Sequence, residues 1–177
     1  MAFERKYNKY DLSGEYGVGW TSNTNKEFYF DLEDYDKIKD YCWREYRQKD
    51  CDHVTLRTRD RESGKNIMMH CLVFRKYCDH INRNPLDNRK SNLRIATAKE
   101  NARNSSVAKN NTSGVSGVTW NKRDNIWQAR IGIDWKSKSL GCFNNKDDAI
   151  KARLKAEKEY FGEFAPQREL FDEYGII

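Results

Sequence analysis

A chain of 177 residues with 37% hydrophobic, 34% charged and 13% aromatic side chains is poorer in apolar residues than the about 45–50% of an average globular domain, and too aromatic for a disordered one. Its net charge of +6 is concentrated: residues 1–70 hold 13 Lys/Arg against 14 Asp/Glu, residues 71–111 hold 9 against 3, and residues 112–177 hold 11 against 10. With no apolar run long enough to span a bilayer and a polar Met1–Tyr10 in place of a signal-peptide core, the expectation is a non-secreted, cytoplasmic protein of small ordered modules, with no membrane partner and a basic stretch suited to nucleic-acid phosphates.

In chain order, Tyr16, Val18 and Trp20 alternate with small residues as a strand would, and Phe28 and Phe30 resume the pattern after the polar turn Ser22–Lys26. Asp31 is placed to cap a short helix from about Leu32 to Tyr41, with Leu32, Tyr35 and Ile38 on one face. A hairpin follows, Val54–Arg59 and Asn66–Met69 around a turn at Asp60–Gly64. His53, alone between Asp52 and Val54, reads as incidental.

Residues His70–Phe74 predict a short helix. After it come a strand at Cys78–Ile81, a polar loop from Asn82 to Ser91, a strand at Leu93–Ala96 and a helix that Thr97 caps, with Glu100 completing a capping box. A polar connector leads to three predicted strands, Val115–Trp120, Trp127–Ile133 and Lys136–Phe143, with turns at Asn121–Asn125 and Asp134–Trp135, then a helix from about Lys146 to Tyr160. In the middle strand Trp127, Ala129, Ile131 and Ile133 share one face and Gln128, Arg130 and Gly132 the other. Ala149, Ala152 and Ala156 would let the helix lie close on the apolar face. The other face would present Arg130, with Lys136 or Lys138 beside it, to a DNA groove; an ordinary solvated sheet would look the same.

The chemistry lies in Cys78–Asn101. Its pieces run in order: Asp79-His80, then Leu86-Asp87-Asn88-Arg89, then Ser91-Asn92-Leu93-Arg94, then Thr97 and Glu100-Asn101. This series closely resembles the HNH nuclease motif, and Met69-His70-Cys71-Leu72-Val73 resembles the family's lead-in, with Cys71 where an Arg is usual. The resemblance implies a ββα-metal fold hydrolysing phosphodiester bonds. By position, Asp79 would ligate the metal and His80 would activate water. Asn92 would hold the loop and orient the histidine, with Asn88 competing for that place, and Asn101 would be the second metal ligand where the family often has His. His70 belongs to the lead-in and reads as structural. Oxygen ligands suit Mg²⁺ or Mn²⁺. The five cysteines, Cys42, Cys51, Cys71, Cys78 and Cys142, are odd in number and read as free thiols. Zinc is disfavoured, because its cysteine ligands usually stand about two to four residues apart and the nearest pair, Cys71 and Cys78, has six between.

The stretches Gly114–Val118 with Trp120, Trp127–Ile131, Leu140–Phe143 and Phe161–Ala165 resemble an AP2-type DNA-binding domain, a module often fused to HNH nucleases in phage and bacterial genomes. The expected plan is α+β: an N-terminal region (1–68), the nuclease (69–104), a linker (105–113), the AP2-like domain (114–166) and a tail (167–177). Arg83, Arg89, Lys90 and Arg94 would contact phosphates of double-stranded DNA, and Arg123, Arg130, Lys136 and Lys138 would seat the AP2-like sheet. The reading is a site-specific homing endonuclease, a monomer or weak dimer. The alternative is a non-catalytic AP2-type regulator.

Overall fold

The structure, a computed structural model, describes residues 7–48, 54–60, 62–74, 77–104 and 111–177. Cys51, His53 and most of the expected linker lie outside them. The secondary structure is mixed α and β, with small sheets and few helices. Two compact units divide the chain, residues 1–98 and 99–177. Among the described residues no helix is long and apolar enough to cross a membrane.

The first unit holds three small antiparallel sheets: β1 (Lys9–Asp11), β2 (Gly17–Trp20) and β3 (Glu27–Phe30); β4 (Arg44–Arg47), β5 (Val54–Arg59) and β6 (Asn66–Met68); and β7 (Cys78–His80) with β8 (Leu93–Ile95). Two short helices join them, α1 (Tyr35–Ile38) after a 3-10 turn and α2 (Met69–Phe74). The alternation of Tyr16, Val18 and Trp20 locates β2, but the buried face is the glycine one. Gly17 lies opposite Phe30 and Gly19 opposite Phe28, and a Cβ at either glycine would stand 2.3 Å from the facing ring. The glycines make room for two fully buried phenylalanines, which share one core with Trp43, Leu56, Met69 and Leu93. Residues on both sides of the expected 68/69 boundary feed that core.

The second unit begins within α3 (Ala98–Arg103) and holds a sheet in the order β11-β10-β9 (Lys136–Phe143, Ile126–Ile133, Val118–Asn121) and α4 (Lys146–Phe161). Asn145 caps α4, its side chain accepting from the Asp147 N–H. Val118, Ala129 and Ile131 of the sheet and Ala149, Leu154 and Ala156 of α4 are buried on the covered face. Residues 167–177 belong to this fold: Ile176 is in the core, and Gln167 donates to Glu157, which is fully buried and paired with Arg153 at 2.7 Å.

One expectation about this sheet is corrected. Lys138 pairs with Ile131 and Lys136 with Ile133, so both lysines stand on the helix side and not with Arg130. A bulge is the cause: Ala129 faces Gly141 and Arg130 faces Ser139, leaving Leu140 as an extra residue, and one inserted residue inverts the parity of the strand. Lys138 accordingly donates to the Tyr160 hydroxyl of α4 at 2.6 Å. The β10–β11 turn has two residues, Asp134 and Trp135, both with positive φ (49° and 65°).

Candidate active site

The antiparallel β7–β8 ribbon sets Asp79 opposite Arg94 and His80 opposite Leu93. Asp79 is buried. Its Oδ2 accepts from Arg94 Nη2 at 2.8 Å and Nε at 3.2 Å, so the expected metal ligand and an expected phosphate contact are bonded to each other. A buried carboxylate requires such a counter-charge.

His80 Nε2 lies 3.3 Å from Asn88 Oδ1. The Asn88 Nδ2 is committed to the Pro85 carbonyl at 3.2 Å, which turns the amide oxygen toward the imidazole. The ring must then donate from Nε2, and its lone pair sits on Nδ1. Burial pulls the His80 pKa below the usual histidine value, against the opposing pull of the Asn88 bond and the Asp79 and Asp87 carboxylates. That direction favours the neutral imidazole, the state a base requires. The His70 ring meets it edge-on, centroids 5.0 Å apart.

The loop after His80 is held by its own amides and by β3. Buried Asn92 accepts from the Asn82 N–H at 2.9 Å and donates to the Asp87 carbonyl at 2.8 Å. Asn92 thus bonds within the loop, and the amide bonded to the His80 ring is that of Asn88. Tyr29 of β3 bridges the loop from outside, its N–H donating to the Leu86 carbonyl at 2.8 Å and its carbonyl accepting from the Asn88 N–H at 2.8 Å. Asp31 makes no side-chain cap to the turn that follows it; it accepts from the Lys90 N–H at 2.7 Å. Sequence reasoning missed Tyr29 and Asp31 as positioning residues, because no spacing rule connects them to a loop roughly sixty positions away.

Arg89, Lys90 and Arg94, expected at phosphates, have carboxylate partners within the first unit. Arg89 grips Asp87 through Nε and Nη2 at 2.8 and 2.7 Å and lies over the Tyr16 ring. Lys90 pairs with Glu33 and lies 3.4 Å from Asp34, and Arg94 holds Asp79. Arg83 is half-buried, in left-handed backbone. In the second unit Asn101 is exposed on α3. Arg123 is exposed in the β9–β10 turn, and Arg130 lies on the open sheet face beside Gln128 at 3.3 Å.

Among the described residues no three His, Cys, Asp or Glu gather as a metal-holding group. The Asp79 carboxylate and the Asn101 amide are nonetheless hard oxygen donors, of the chemistry that Mg²⁺ and Mn²⁺ prefer when water and phosphate oxygens complete the shell.

Residues 76–103 match the family model described as HNH endonuclease. The chain is 34% identical over 91 residues to Protein 3.8 of Escherichia phage T7, a match covering 50% of this chain and 73% of that protein. It is 30% identical over 94 residues to a protein of Acanthamoeba polyphaga mimivirus named as an uncharacterised HNH endonuclease, covering 53% of this chain and 48% of that one. No solved structure matches it significantly. The matched segment is the one that contains Asp79, His80, Asn88, Asn92 and Asn101, and by this likeness the chain belongs to the HNH endonuclease family.

Proposed function

We propose that this protein is a metal-dependent, site-specific endonuclease of double-stranded DNA, of the homing kind. The observation that carries the reading is His80, neutral and oriented by Asn88, next to the buried Asp79 in the segment matched as HNH. In the proposed reaction His80 Nδ1 accepts a proton from the attacking water. Asn88 fixes the ring so that the lone pair cannot rotate away, and Asn92 holds the loop that carries Asn88. Asp79 and Asn101 would hold Mg²⁺ or Mn²⁺, which supplies charge stabilisation at the phosphorane and the leaving 3′ oxygen. The second unit, read as AP2-like, would bind flanking DNA through the open sheet face with Arg130 and the turn with Arg123, and Lys136 and Lys138 would act from the sheet's edge. The biological role proposed is intron or gene mobility in a phage or its host.

Plasmid and pooled phage and host DNA, incubated with Mg²⁺ or Mn²⁺ and with an EDTA control, test this. Wild type nicks or cuts only with metal, and His80→Ala loses roughly 10²–10⁴-fold in rate, the range of a general base.

The Asp79–Arg94 pair favours a second reading, a DNA-binding regulator that does not cut, because the arginine competes with a metal for the carboxylate. Tight binding to a footprinted site without cleavage across several metals would establish it.

A further inference from the structure

Trp135 occupies a position that neither packing nor backbone favours. Its side chain is fully exposed, so it adds nothing to the core. It is the second residue of a two-residue turn in which both residues have positive φ, a turn that prefers Asn or Asp followed by Gly. A bulky residue is disfavoured there. The tip itself is anchored: Ile133 and Lys136 pair behind it, and Asp134 is ion-paired with Lys99 of α3, the helix that bears Asn101. A flat aromatic surface is thus presented to solvent on a tethered tip, next to Lys136.

On the reading of this chain as a DNA nuclease, we infer that Trp135 is a base-stacking finger. It lies against an unstacked base of the bound DNA, a contact open to any sequence because every base has a π-face. A local rule broken at the surface without a structural return marks a functional position. Protein self-association through the same side chain is the competing use.

The experiment compares wild type with Trp135→Gly, Trp135→Asn and Trp135→Phe on labelled duplexes, one carrying 2-aminopurine, with melting temperatures and sedimentation measured alongside. Gly and Asn suit the turn, so both variants melt at or above the wild-type temperature. Both bind DNA roughly tenfold more weakly, lose the 2-aminopurine fluorescence change and keep the slope of log Kd against log salt, since no charge is removed. Phe retains most of the affinity. Unchanged affinity in Gly and Asn, or equal loss in Phe, overturns the inference, as does a change in self-association with DNA binding intact. If wild type itself binds no DNA, the nuclease reading fails first and takes the stacking finger with it.

Discussion

Asn88 determines which nitrogen of His80 carries the proton, because its Nδ2 is already given to Pro85 and its Oδ1 faces the imidazole Nε2. Asn88→Ala is expected to lower the cleavage rate about 10–100-fold, as loss of a residue orienting an active group does, with little change in KM. Steady-state kinetics on a mapped site, with circular dichroism to confirm folding, separates that from collapse of the loop. In the sequence Asn88 and Asn92 are rivals, since both follow the histidine in an asparagine-rich loop. The structure separates them by what each amide touches, which spacing alone does not encode. Glu45 shows a different residue effect. Lys26 and then Thr24 bond its carboxylate at 2.8 Å each, and the Lys26 bond above all holds its pKa below the usual glutamate value despite burial. A depressed folded pKa supplies stability that is complete above the unfolded value, near ~4.3, and is lost as pH falls through the folded one. The stability difference between wild type and Glu45→Gln should therefore be full at neutral pH and shrink toward strong acid, as read from urea midpoints across pH. A constant difference would rule this out.

At the level of elements, β2 and β3 show how a correct strand assignment can leave its faces unsettled. Hydrophobic alternation in Tyr16, Val18 and Trp20 found the strand, but the rings of Phe28 and Phe30 fill the space left by Gly17 and Gly19. Gly19→Ala should cost about 1–3 kcal/mol, the usual penalty for overfilling a packed core, visible as an earlier denaturant midpoint. An unchanged midpoint would mean that the ring moves freely. In the second unit the three strands and the long helix fall close to their predicted positions, because their apolar periods and turn residues agree. The extra Leu140 is invisible in the sequence, for a bulge leaves no mark in a pattern of alternating Ser and Lys, and plain alternation places Lys136 and Lys138 on the opposite face.

Across the whole chain, the basic block of residues 71–111 is less available than its charge suggests. The N-terminal region supplies Glu33 and Asp34 to Lys90, while Asp87 and Asp79, within the block, hold Arg89 and Arg94. Removing the exposed partner should release charge at little cost to stability. Glu33→Gln is expected to steepen the slope of log Kd against log salt by about 0.9, one added phosphate contact; an unchanged slope would place Lys90 away from DNA. The segment matched as HNH was legible because its motif pieces stand close together in sequence. Its support was not, because Tyr29 and Asp31 reach it only through the fold. The hydrogen bonds from Tyr29 to Leu86 and Asn88 also bear on engineering. A nuclease cassette cut at residues 69–104 and grafted to a new carrier would leave behind the strand that splints its loop. A transplant that carries β3 along would keep the splint.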